Sequence, residues 1–136
     1  MRAFVDTSAL LALSHARDQY HGRAATLARA HQASGGRYLG STLVLSEFHT
    51  HLLYLRGPVG ALAALTALLN DPAHHWQSVS PELIEAAKGN WLERYPDQRF
   101  SLTDAVSFEL MKREKLTHAF AFDQHFVTAG FALLRH

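Results

Sequence analysis

Four acidic residues stand where an ordinary solvated surface gives no reason for them. Asp6 and Asp123 each follow an apolar run, Phe4-Val5 and Phe120-Ala121-Phe122. Asp104 opens a predicted helix, and Glu47 lies on the margin of an apolar helical stripe, four residues from both Leu43 and His51. None of the four has a Lys or Arg beside it in the chain. Two carboxylates about 4 Å apart repel by about 4 kcal/mol at an effective dielectric of about 20. A divalent cation that prefers hard oxygen ligands, Mg2+ or Mn2+, relieves that repulsion. Singly, Asp6 and Asp104 serve as helix-terminus residues, Asp123 as a turn cap and Glu47 as an edge carboxylate; together they point to a metal site. The remaining acids have plainer uses. Glu109 sits four before Arg113 as a helix-surface ion pair, and Glu82 and Glu85 suit a helix start.

The elements that must position these residues follow from periodicity. Arg2 to Val5 is too short and apolar for anything but a buried strand. Ser8 to Ser14 begins a helix that Asp6 or Thr7 caps. Asp18 to Gln32 is helical, closed by Gly35-Gly36. Arg37 to Gly40 is a strand. Thr42 to Arg56 is a helix with Val44, Phe48, Leu52 and Leu55 on one stripe. Gly57-Pro58 breaks it, and Val59 to Leu69 forms the next. Trp76 to Val79 reads as a strand, Pro81 opens a helix that stops before Tyr95-Pro96, and Thr103 to Lys115 is another helix. His118 to Phe122 and Phe131 to Leu134 close the pattern as strands. Short apolar strands alternating with helices predict an α/β sandwich with a mainly parallel sheet. In such a sheet the C-terminal strand ends and following helix starts line one crevice. Asp6, Asp104 and Asp123 are expected there, with Glu47 joining from its helix edge.

Composition narrows the function classes. The chain has 136 residues, 48% hydrophobic and 18% charged, which fits one globular domain over 1–136. With no cysteine, disulfides and thiolate metal sites are excluded. A net charge of +1 leaves no global basic coat, only local basic faces. Asp6 interrupts the apolar start in a way a signal peptide should not, and Ala61 to Leu69 is far short of the roughly 20 apolar residues that cross a bilayer. A cytoplasmic, non-membrane protein is expected.

Other chemistries find no support. His49 and His51 point to different helix faces, and His74-His75 falls in a predicted loop, so a zinc site is not indicated. Gly57-Pro58-Val59-Gly60 lacks the Lys and Ser/Thr of a phosphate-binding loop. Ser8, not Asp, stands two after Asp6, against a phosphoaspartate phosphatase, and no Gly-x-Ser-x-Gly is present. His125 is read as packing or surface, with a phosphate contact the alternative.

Four segments in order resemble the PIN-domain ribonucleases: Phe4-Val5-Asp6-Thr7-Ser8-Ala9-Leu10, Leu45-Ser46-Glu47-Phe48, Ser101-Leu102-Thr103-Asp104-Ala105-Val106-Ser107-Phe108 and Phe122-Asp123-Gln124-His125-Phe126. The similarity is greatest to the VapC-type toxins of prokaryotic toxin–antitoxin pairs and spans nearly the whole chain. It implies a PIN-like fold and an endoribonuclease in which Asp6, Glu47, Asp104 and Asp123 form the metal-binding, catalytic set, Asp6 and Asp104 foremost as direct ligands. Thr7, Ser8 and Thr103 match supporting hydroxyl positions. The implied reaction is hydrolysis of RNA by a metal-activated water, leaving a 5′-phosphate and a 3′-hydroxyl. The implied partners are an RNA substrate and a small cognate antitoxin. A housekeeping RNA-processing nuclease, or a non-catalytic module that binds RNA or protein, is the alternative.

RNA approaching an acidic centre needs basic residues at the rim, and Arg17, Arg37, Arg56, Arg99 and the Lys112/Arg113/Lys115 group are candidates. Tyr20, Tyr38 and Trp76 are candidate base-stacking residues, though aromatics in a small domain usually serve the core. Leu43 to Leu55 and Val59 to Leu69 are apolar enough to offer a homodimer or antitoxin surface.

Overall fold

The computed structural model describes residues 1–135. Strands β1 (Arg2–Val5), β2 (Arg37–Ser41), β3 (His74–Gln77), β4 (His118–Phe120) and β5 (Ala132–Leu133) form one sheet in the order β3-β2-β1-β4-β5, with every neighbouring pair parallel. Helices α1 (Thr7–Ser14), α2 (His21–Ala33), α3 (Thr42–Asn70), α4 (Pro81–Ala87), α5 (Leu102–Arg113) and α6 (His125–Thr128) supply the cover. Parallel strands need both faces covered, which is why Ala3, Phe4 and Val5 are fully buried. The chain leaves β1 toward β2 on one side, and β4 leads to β5 on the other. The direction of winding therefore reverses between β1 and β4, the place where open α/β sheets bind ligands.

Several elements differ from their predicted bounds. The third strand is His74–Gln77 rather than Trp76 to Val79, because it is set by pairing with β2, Tyr38 opposite His74 and Gly40 opposite Trp76. His74 is thus a strand residue stacked between Tyr38 and Trp76, at 4.8 and 5.4 Å, and burial holds its ring below the usual histidine pKa. A side chain at Gly40 would collide with the Trp76 ring, so this edge of the sheet requires glycine there. The strand from His118 ends at Phe120, and the last strand is only Ala132–Leu133. The helix expected from Asp18 starts at His21, since the Asp18 carboxylate accepts the Tyr20 N–H and forms a turn instead.

The two expected apolar helices are one element, α3, kinked at Gly57, whose φ of 79° only glycine adopts freely. Pro58 follows, with no N–H to continue the ladder. By length and composition alone α3 is long and apolar enough to cross a membrane. Its first half instead buries Val44, Phe48 and Leu52 in the domain core. The second half buries only Ala61 and leaves Val59 and Leu62 exposed.

An aromatic core lies beneath the strand ends. Phe108 packs edge-on against Trp91, Phe100 and Phe126 at 5.0–5.1 Å, and Phe126 reaches Phe4 of β1 at 6.2 Å. Such pairs add about 0.5–1.5 kcal/mol each beyond their area. They tie α5, α6 and β1 together, the three elements that carry or adjoin the acidic residues.

Glu109 corrects the expected surface ion pair. It is buried, and its carboxylate accepts from Asn90 Nδ2 at 3.1 Å, Trp91 Nε1 at 3.2 Å and Arg113 Nε at 3.2 Å. Asn90 and Trp91 reach it from a π-helical turn, Lys88–Glu93, that continues α4. Burial pushes the Glu109 pKa up, but those three donors and the Arg113 charge pull it below the ordinary carboxylate range.

Candidate metal centre and active site

The site is built from two strand ends and one helix start. β1 terminates at Val5, and Asp6 caps α1: its Oδ2 accepts the Ser8 N–H at 3.2 Å and the Ser8 hydroxyl at 2.6 Å. β4 terminates at Phe120, and Asp123 follows in a turn where its Oδ1 accepts the His125 N–H at 2.9 Å. α5 starts with a capping box: Asp104 N–H donates to the Ser101 hydroxyl and Ser101 N–H donates to Asp104 Oδ2, both at 3.0 Å. The Asp6 N–H donates to the Phe120 carbonyl at 3.0 Å, extending the β1–β4 ladder to the rim of the crevice.

These ends bring Asp6, Asp104 and Asp123 into one electrostatic neighbourhood. Burial pushes the Asp6 pKa up to about 6 against the two Ser8 hydrogen bonds, and the charges of Asp104 and Asp123 push the same way. One ligand atom each from Asp104, Asp123 and His125 lies within 4.8 Å of the others. His125 Nδ1 is 2.9 Å from Asp104 Oδ2 and 3.6 Å from Asp123 Oδ1. Each of the three aspartates therefore uses one oxygen on protein donors. Among the described residues the other oxygen, Oδ1 of Asp6, Oδ1 of Asp104 and Oδ2 of Asp123, has no hydrogen-bond partner, and no Lys or Arg pairs with any of them. Among the described residues the Thr7 hydroxyl, beside Asp6, is buried without a partner. Spare carboxylate oxygens and an orphaned hydroxyl are hard donors, and this set fits a divalent cation.

The other predicted residues are placed as follows. Glu47 is on the second turn of α3, half-buried, outside the Asp104–Asp123–His125 cluster and not among the charges that raise Asp6. Ser8 bridges Asp6 and the Phe122 N–H, which it accepts at 3.0 Å. Thr103 precedes Asp104 and accepts the Ser107 hydroxyl on its carbonyl. Arg37 opens β2 opposite Arg2, at the N-terminal end of the strands and so away from the crevice, and donates to the Pro72 carbonyl. Arg56 donates to the Ser14 carbonyl and lines a cavity with Arg17, His15 and His21. Arg99 is exposed just ahead of α5. Arg113 is taken by Glu82 and Glu109.

His125, which the sequence reads as packing or surface with a phosphate contact the alternative, stands in the cluster. Its signal is the Asp-x-His spacing, in which the Asx turn of Asp123 starts α6 and swings the ring back toward α5. Ser101 carried a signal too: Ser101-x-x-Asp104 is a capping-box pattern that fixes Asp104 at a helix start.

A parallel sheet whose switch point gathers carboxylates with spare oxygens is an α/β protein with a candidate divalent-metal site. The chain belongs to the PIN domain family, whose model matches residues 3–132. PIN domains are metal-dependent nucleases, and this chain is one of them. It is 35% identical over 132 residues to the 23S rRNA-specific endonuclease VapC20 of Mycobacterium tuberculosis, covering 97% of both chains. The crystal structure of VapC20, described as a sarcin–ricin loop cleaving toxin, superposes with a TM-score of 0.83 at 34% identity over 96% of each chain. VapBC2 of Rickettsia felis, solved with a promoter DNA fragment, shares the fold with a TM-score of 0.68 at 13% identity, over 98% of this chain and 97% of that one.

Proposed function

We propose that this protein is an endoribonuclease toxin that cleaves ribosomal RNA, using Mg2+ or Mn2+ held by Asp6, Asp104 and Asp123, with Glu47 completing the acidic set. The observation that carries this reading is the three carboxylates that each keep one oxygen free while no Lys or Arg neutralises them. When bound, the cation lowers the pKa of a coordinated water and balances charge on the phosphoryl oxygens. The chain's own residues set the geometry. Ser8 holds Asp6 Oδ2, and Ser101 and His125 hold Asp104 Oδ2, so both carboxylates are kept in fixed orientations. Thr7 and Thr103 supply hydroxyls beside them.

Likeness to VapC20, over nearly all of both chains, supports 23S rRNA and its sarcin–ricin loop as the substrate. The same relation to a toxin supports a small antitoxin as the partner that restrains this chain. The whole chain acts as one nuclease domain, in the cytoplasm and not in a membrane. The exposed apolar face of the second half of α3 supports a homodimer.

The test compares the unsubstituted protein with Asp104→Asn on a panel of RNAs that includes a sarcin–ricin hairpin, each with Mg2+, Mn2+ or EDTA. Metal-dependent cleavage lost in Asp104→Asn, with 5′-phosphate products, is the expected result. Equal cleavage by both proteins, or cleavage in EDTA, overturns the assignment. Carboxylate-dependent Mn2+ binding with no RNA cut would point instead to a binding module.

A further inference from the structure

A cavity of about 440 Å3 opens between the start of α2, the segment around Asp123 and the chain's last strand. That volume is within the ~300–1,000 Å3 of small-ligand pockets. Its walls include Tyr20, Arg23, Phe122, Gln124, Val127 and Arg135. Phe122 and Gln124 are the two chain neighbours of Asp123, so the cavity lies beside the segment that carries that carboxylate. The rings of Tyr20 and Phe122 are stacked face to face, 4.6 Å between centroids and 1° between planes. Tyr20 nevertheless remains 37% exposed, so the stack is not sealed into the core. Arg23 and Arg135 are exposed, and among the described residues neither pairs with a carboxylate. Among the described residues no acidic side chain lines the cavity.

The platform is also fixed relative to the metal centre. The Phe122 N–H donates to the Ser8 hydroxyl, which donates to Asp6. A flat ligand resting on Tyr20 is thereby held in register with the reacting position. An open aromatic stack beside two unpaired guanidinium groups calls for a ligand that has a π-face and carries negative charge. A nucleotide has both. A peptide strand would instead need a sheet edge, and β5 offers only Ala132 and Leu133.

We propose that this cavity is a nucleotide subsite, taking a base flanking the scissile phosphodiester against Tyr20 and the adjoining phosphates on Arg23 and Arg135. The proposal rests on the ribonuclease reading, and its test separates the two. In an Asp104→Asn background that does not cleave, a short fluorescein-labelled oligoadenylate is titrated by anisotropy at fixed salt. Tyr20→Ala and Arg23→Ala are each expected to weaken binding about ten-fold. Tyr20→Phe should bind as the parent does, and Arg23, being exposed, can be replaced without unfolding the chain. The same Tyr20 and Arg23 substitutions in the otherwise unsubstituted protein are then assayed on the hairpin. Oligoadenylate binding that depends on Tyr20 and Arg23 supports the subsite even where no RNA is cut, and then only the cleavage reading falls. Hairpin cleavage with oligoadenylate binding unchanged in both variants, or no binding by the parent, overturns the subsite and leaves the nuclease standing. Variants that keep RNA affinity but lose a co-expressed antitoxin also overturn it, and assign the cavity to a peptide.

Discussion

The Ser8 hydroxyl accepts the backbone N–H of Phe122 at 3.0 Å, joining residues 114 apart in the chain across the mouth of the β1–β4 crevice. The same hydroxyl donates to Asp6 Oδ2 at 2.6 Å, so one side chain sets both the Asp6 carboxylate and the backbone that presents Asp123. Replacing Ser8 with Ala removes both bonds. Outer contacts of this kind are worth about 10–100-fold in metal affinity, and one hydrogen bond contributes about 1 kcal/mol to folding. Ser8→Ala should therefore weaken Mn2+ binding by at least ten-fold in calorimetric titration while lowering the urea midpoint only slightly. A variant that binds Mn2+ as the parent does would show that Asp6 needs no such support.

Asp6 gives the metal-free protein a characteristic pH response. Its pKa in the folded chain, about 6, lies above the ordinary 3.8. Between those values the native state holds more protons than the unfolded state, so this group's contribution to stability falls as pH rises. A shift of about two units corresponds to about 3 kcal/mol, lost in full above pH 6. In EDTA, the difference in stability between Asp6→Asn and the parent should grow in the variant's favour from pH 4 to pH 7. Saturating Mn2+ should abolish or reverse that gap at pH 7, because the bound cation replaces the proton. Thermal melts across pH, with and without metal, read both effects.

The spare oxygens also rank the acidic residues. Asp104→Asn and Asp123→Asn each remove a charge from the close cluster with His125, and each should reduce Mn2+ affinity by more than ten-fold. Glu47→Gln, outside that cluster, should cost less. Equal losses at Glu47 and Asp104 would mean that Glu47 moves onto the metal when it binds.

Glu109 should behave in the opposite sense to Asp6. Its carboxylate is buried with three donors and its pKa is held low, so its contribution is present above the ordinary carboxylate pKa and is lost as pH falls through the lower folded value. Glu109→Ala leaves Trp91 Nε1 and Asn90 without their acceptor and should cost about 3 kcal/mol, seen as a lower urea midpoint with the slope unchanged. Cleavage per folded molecule should persist, since Glu109 is not among the groups gathered at the crevice. Loss of activity without loss of stability would place it in the chemistry.

What the sequence disclosed depends on whether a residue's surroundings are local. Asp6 and Asp123 stand out because a polar residue directly after a buried apolar run marks a strand end, and the strand–helix alternation dictates a parallel sheet. The Gly57-Pro58 break is local as well. The register of β3 is not: His74 and Trp76 become strand residues only because β2 is there to pair and Tyr38 to stack upon. The burial of Glu109 depends on Asn90 and Trp91, 19 and 18 residues away, delivered by a π-helical turn that no periodicity announces. His125 meets Asp104 across 21 residues, and only the turn at Asp123 hints at it.

The kink at Gly57 has a consequence for assembly. It swings the second half of α3 so that only Ala61 is buried, while Val59 is 84% and Leu62 60% exposed. Tyr54 and Leu55 before the kink and Leu69 after it are exposed as well. Fully covering one such side chain is worth about 1.5–3 kcal/mol, so a two-fold contact that uses each residue twice has ample driving force. Leu62→Asp would place an unpaired charge in such a contact at both copies, and should weaken the proposed dimer at least a hundred-fold in sedimentation equilibrium. The isolated monomer should melt as before, because Leu62 contributes little to its own core. A parent that sediments as a monomer at high micromolar concentration would assign this face to the antitoxin alone, and Leu62→Asp would then be expected to release the antitoxin while sparing nuclease activity.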